Sequence, residues 1–142
     1  MNSFNFNSQV CTDKVQSERL LALGLKKETA DMKYPCTSEY YGGILTEGTS
    51  SLPIIIDTED DDITEYDIPA WSLHRLLSLL PQSAKIGKNY YALAIIQNEF
   101  VRLIDDIGDI YIYFDRDGIY ESLLLCIEWL IKEGYFNKEY LV

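Results

Sequence analysis

The amino-acid sequence predicts an α+β fold: a small antiparallel sheet with about three helices packed mainly on one of its faces. Three observations lead there. "YYALAIIQ", "FVRLI" and "IYIYF" are rich in β-branched and aromatic residues and are joined by turns too short for parallel crossovers. Leucines recur at helical spacing in "IPAWSLHRLLSLLP", and "IYESLLLCIEWLIKE" is apolar over four turns. A chain of 142 residues that is 47% hydrophobic and 25% charged suits one ordinary domain able to bury a core without staples.

Taken in order, residues 1–9 are polar and asparagine-rich and read as a loose segment, with a single globular domain over 10–142. "CTDKVQSERLLALGL" reads as the first helix, with Thr12 as a capping residue, Asp13 at its positive end and Gly24 at the position of a left-handed cap. "SEYYGGILTEGTSSLPIII" is glycine-broken and fits one or two short strands near 38–57 that extend the sheet. Pro69 and Pro81 bracket a second helix of about ten residues, because proline is tolerated at a helix start and bars continuation at its end. Leu73, Leu76, Leu77 and Leu80 form its apolar stripe, and Trp71 falls on the opposite side. A three-stranded meander follows over about 89–114, with Ile110, Ile112 and Phe114 on one face of its last strand and Tyr111 and Tyr113 on the other. The aspartates of "DRDG" are placed to cap the last helix, which ends near Gly134 and pairs Glu128 with Lys132 on its wet edge.

The formal net charge is −11, from 12 basic and 23 acidic residues. Such a chain repels phosphates and anionic lipid heads, which argues against direct nucleic-acid or membrane binding and favours a partner with a basic surface. Three widely spaced cysteines, Cys11, Cys36 and Cys126, form neither a CxxC pair nor a Cys/His cluster, which suits reduced thiols of a cytoplasmic protein. The opening residues lack the basic and apolar segments of a secretion signal. The longest apolar stretch, "LLLCIEWLI", is short and contains Glu128, so no membrane span is expected.

The most conspicuous stretch is "IIIDTEDDDITEYDIPAW". Asp57, Glu59, Asp60, Asp61, Asp62, Glu65 and Asp67 lie together with no basic residue among 57–67. An EF-hand loop starting at Asp57 would need glycine sixth and glutamate twelfth, where Asp62 and Ile68 stand, so no metal site is expected. The run reads first as a solvated, self-repelling loop, second as a docking surface for a basic partner and third as a non-standard cation or catalytic site. Trp71 is either covered by the first helix or the preceding loop, the favoured case, or stands exposed as an aromatic anchor beside those acids. Eleven tyrosines, Tyr111 and Tyr113 among them, suit core and protein interface before a stacking platform for nucleic acid, which lacks basic flanks beyond Lys85, Lys88 and Arg102. His74 is the only histidine, so a nucleophilic system would have to join it to Cys36. Neither a GxSxG elbow nor a phosphate-binding glycine pattern occurs, and no cofactor or catalytic residue is assigned.

"VCTDKVQSERLLALGLKKETADM", "IPAWSLHRLLSLLP" and "ESLLLCIEWLIKEGY", about half of the chain, resemble segments of small proteins of no assigned activity encoded on phages and mobile elements of gut bacteria. The resemblance implies an accessory role in a bacterial cytoplasm and carries over no functional residues. The expected function is therefore a non-catalytic, acidic, protein-binding or regulatory accessory protein, with a homo-oligomer compatible with the sequence. Two alternatives stand beside it. One is mimicry of nucleic acid, which would need Asp105, Asp106, Asp109, Asp115 and Asp117 as a second row of anions. The other is a small hydrolase using the carboxylates or Cys36 with His74.

Overall fold

A computed structural model describes residues 9–41, 44–56, 63–96 and 100–142, with the backbone alone for 38–41 and 44–47. Among these residues the elements run α1 (Lys14–Ala22), β1 (Met32–Tyr34), β2 (Cys36–Tyr41), β3 (Ile44–Thr49), β4 (Ile54–Ile55), β5 (Ile68–Ala70), α2 (Leu73–Leu79), β6 (Ser83–Ile86), β7 (Asn89–Ile96), β8 (Phe100–Ile104), β9 (Ile110–Asp115) and α3 (Ile119–Glu133). Every strand pairing is antiparallel, in three sheets ordered β4-β1-β5, β2-β3 and β6-β7-β8-β9. The fold is α+β, and no described helix is long and apolar enough to cross a membrane.

The expected meander is present and has a fourth strand at its front. β6 reaches β7 through the two-residue loop Gly87–Lys88, with Gly87 at φ 63°, a geometry that a two-residue hairpin demands and glycine supplies. The strands at 36–49 do not extend this sheet. They pair with each other as a separate ribbon, while β4 joins β1 and β5.

Helix boundaries follow local capping chemistry more closely than proline. Asp13, one residue beyond the expected Thr12, caps α1 in a capping box with Gln16. Pro69 does not open α2. It sits in β5, an edge strand where its missing N–H is tolerated, and Ser72 caps the helix by accepting the Arg75 N–H. The aspartates of 115–118 leave the start of α3 uncapped; instead Ser122 bonds back to Arg116 and Gly118. The left-handed exits at Gly24 and Gly134, with φ 99° and 80°, fall where expected. So does the Lys132–Glu128 pair, at 3.2 Å.

α3 lies across β8 and β9 and buries Leu123, Leu124, Cys126, Ile127 and Leu130 against Val101, Leu103 and Phe114. Leu20 of α1 and Leu76 and Leu79 of α2 complete this core. Each such leucine or isoleucine contributes about 1.5–3 kcal/mol on burial, which fixes which sheet face the helices cover. The leucine stripe of α2 differs in one respect: Leu79 is buried while Leu77 and Leu80 are only partly covered.

Alternation then divides the four-stranded sheet. Val101 and Leu103 face the helices, together with their cross-strand partners Leu93, Ile95, Phe114 and Ile112. Phe100, Arg102 and Ile104 face the other way, opposite Ile96, Ala94 and Ala92 of β7. A bulge between Leu103/Ile104 and the start of β9 interrupts the pattern.

Candidate functional site

Of the seven carboxylates singled out above, Asp57, Glu59, Asp60, Asp61 and Asp62 lie outside the described residues. Glu65 is exposed in a turn. Asp67 is not a solvated acid. Its Oδ1 accepts the Cys36 N–H at 2.8 Å, and its Oδ2 accepts the Thr64 N–H at 3.0 Å and faces Lys33 Nζ at 3.4 Å. Both side chains of this ion pair are nearly enclosed, at 9% and 6% exposure. Burial alone would push the Asp67 carboxyl up. The N–H bonds from Cys36 and Thr64, the Thr64 hydroxyl and the Lys33 charge outweigh it and hold the group below the usual carboxylate range. Asp67 therefore closes the 64–67 turn and ties it to β1 and β2, a structural task that removes it from any docking surface.

Trp71 is fully buried, which settles the two readings in favour of the covered one and rules it out as an exposed anchor. Thr12 pins its backbone in both directions: the Trp71 N–H donates to Thr12 Oγ1 at 3.1 Å and its carbonyl accepts the Thr12 N–H at 2.9 Å. The indole Nε1–H donates to Thr29 Oγ1 at 2.9 Å, and Arg75 Nε donates to the Thr29 carbonyl at 2.6 Å. The tryptophan thus joins the N-terminal segment, the 3-10 turn Lys27–Thr29 and the start of α2, with its own N–H, carbonyl and indole N–H all hydrogen-bonded.

The two tyrosines of β9 do not share a face. The bulge takes Tyr111 out of alternation, and its ring meets Trp129 of α3 at 6.2 Å between centroids and Tyr91 at 5.1 Å. Tyr113 pairs across from Arg102 on the outer face and is 64% exposed.

That outer face is the most distinctive surface among the described residues. No described helix lies on it. Tyr90 and Ile110 stand 63% and 51% exposed, and Ile96, Phe100 and Ile104 are partly exposed and belong to neither buried cluster. Ala92 and Ala94 form a low strip along β7. Lys85 sits at one edge with Nζ 5.7 Å from the centre of the Tyr90 ring. Arg102 stands near the middle. Its Nε is enclosed without a hydrogen-bond partner, and among the described residues no ion pair reaches it. The sequence held the signal for Arg102, since "FVRLI" sets it on the opposite face from Val101 and Leu103. It drew notice only as a basic flank, because the helix-covered side is not marked by strand alternation alone.

The groups considered for catalysis do not assemble. His74 and Cys36 are both exposed and no hydrogen bond joins them. Cys11 and Cys126 are buried, and burial pushes both thiols up, Cys126 to about 12, away from the reactive thiolate. Asp105 accepts the Ile107 and Asp109 N–H groups and shapes its own turn. Asp115, Arg116 and Asp117 border an open depression of about 400 Å³, with no histidine or thiol on its lining. Among the described residues no three histidine, cysteine or acidic side chains converge as a metal site would require. Comparison with protein-family models, with curated proteins and with solved structures finds no match.

Proposed function

We propose that this chain is a non-catalytic module that binds another protein through the outer face of the β6–β9 sheet. The supporting observation is the coexistence of exposed Tyr90, Ile110 and Tyr113 with partly exposed Ile96, Phe100 and Ile104 on a single sheet face that no described helix covers. A contiguous apolar patch on a soluble domain marks an interaction site more often than chance decoration, and tyrosine suits such a site with its rigid area and polar tip. The formal charge of −11 steers a partner that is basic beyond the contact itself. The resemblance to phage and mobile-element proteins supports an accessory role in a bacterial cytoplasm.

The test is a capture experiment in a bacterial host with the wild type and with the double variant Ile110→Ser/Tyr113→Ser, both verified as folded by their thermal transitions. Exposed positions tolerate such changes with little loss of stability. A protein retained by the wild type and released by the variant supports the reading. The same proteins retained by both would sink it.

A further inference from the structure

Taking the protein-binding reading above as its basis, we propose that the occupant of the outer sheet face is an amphipathic helix of another protein that sets one carboxylate, within its apolar stripe, on Arg102. The argument begins with that arginine. A guanidinium stays charged at any physiological pH and offers five N–H donors in a fixed fork. Arg102 lies between Ala94 and Tyr113 across the strands and is only partly exposed. Among the described residues its Nε is enclosed with no acceptor, and the nearest acid on the same face by register, Asp115, makes no ion pair with it. A charge in this state gains from a ligand carboxylate, whose planar pair of oxygens fits the fork.

Size decides between a second copy and a helix. Four strands about 4.8 Å apart and about six residues long make a face of about 19 by 20 Å, or roughly 400 Å². A standard stable interface buries about 800 Å² on each partner, so this face alone falls short for a dimer. Self-pairing would also bring two chains of formal charge −11 together. A single helix of about 13 residues is about 20 Å long and matches the face. Shape agrees. Ala92 and Ala94 keep the centre low beside Arg102, so a helix can approach closely between Tyr90 and Tyr113, as α3 does on the opposite side. Single-stranded nucleic acid fits the same aromatics poorly, because Asp115 shares the face and Asp105, Asp106 and Asp109 crowd the adjoining β8–β9 turn.

The probe is a labelled 14-residue synthetic helix of leucine, glutamine and lysine with one glutamate in its leucine stripe, about the length that spans the face. Its control has the same composition with the glutamate moved to the polar side. Fluorescence anisotropy against the full chain should show the stripe-glutamate peptide binding about tenfold tighter than the control, the scale of one charge-assisted contact. Arg102→Met, which keeps an unbranched apolar stem and removes the charge, should abolish that preference while leaving the weaker apolar binding. If both peptides bind the wild type equally, and both are lost in Ile110→Ser/Tyr113→Ser, the face still docks a protein but Arg102 reads no carboxylate, and this proposal falls alone. Absence of binding by either peptide overturns the helix, while the capture experiment still decides the broader reading. A concentration-dependent dimer in sedimentation that the double variant abolishes would replace the helix with a second copy.

Discussion

Replacing Asp67 by asparagine separates a carboxylate built into the fold from one merely held in water. In the wild type its two oxygens serve the N–H groups of Cys36 and Thr64, the Thr64 hydroxyl and the ammonium of Lys33, with both side chains of the ion pair nearly enclosed. Asparagine keeps one acceptor oxygen and turns an NH2 toward Lys33 or an N–H, so at least one of these donors loses its bond to Asp67. Removing one member of a buried pair costs about 3–5 kcal/mol, and a hydrogen bond to a charged group is worth about 1.5–3 kcal/mol. Lys33 has further contacts of its own, which places the expected loss near the lower range, about 2–3 kcal/mol. Relief of the overall negative charge works in the opposite sense. At 10 Å in water it amounts to about 0.4 kcal/mol per pair before salt screening, too little to change the sign. Urea unfolding followed by tryptophan fluorescence, with Trp71 buried and Trp129 partly so, measures the difference. The pH dependence adds a second criterion. A carboxyl held below its unfolded value contributes stability that is complete above that value, about 3.9, and is lost as pH falls through the lower folded value. The gap between wild type and Asp67→Asn should therefore be full at pH 7 and narrow progressively below about pH 4. A gap under about 0.5 kcal/mol at pH 7, the ordinary range for a surface substitution, would show Asp67 to be a solvent-facing acid after all.

Two further outcomes follow from burial. Trp71→Ala should cost about 3–5 kcal/mol by calorimetry or urea titration, because it opens a cavity and strips Thr29 Oγ1 of the indole donor; a loss below about 1 kcal/mol would mean that the ring is not enclosed. An aromatic disulfide reagent at pH 8 should modify one thiol rapidly, exposed Cys36, while Cys11 and Cys126 react only on unfolding; two fast equivalents would contradict the burial of the other pair.

Features legible in the sequence are those decided within a few residues. The left-handed exits at Gly24 and Gly134, the Glu128–Lys132 pair and the meander all depend on neighbours three or four positions away or on an alternation with period two. β6 escaped notice because "SAKI" carries little strand propensity and is recruited by the Gly87–Lys88 turn and its pairing with β7. The separation of Tyr111 from Tyr113 depends on a bulge, and a single unpaired residue leaves no mark in an alternating string. Helix starts moved by one to four residues because side-chain caps, Asp13 and Ser72, outrank the position of a proline when that proline has an edge strand to occupy. The role of Asp67 was hidden for a different reason. Within "TEYDIPAW" it is one more acid, and only a fold that brings Lys33 and Cys36 alongside turns it into a clasp.

Asp67 and Arg102 pose one physical problem and reach opposite solutions. Each is an ionised group held among low-dielectric neighbours, where a charge is costly unless opposite charge or hydrogen bonds surround it. Asp67 meets both needs inside the chain, from β1, from β2 and from its own turn. The Nε of Arg102 meets neither among the described residues, although Asp115 and Tyr113 lie within the same few residues of sheet. A protein carrying 23 carboxylates has no shortage of acids to offer its central arginine. Among the described residues no acid pairs with it, and that unmatched guanidinium is why the proposed recognition chemistry is centred on this sheet face instead of on the acidic stretch that first draws the eye.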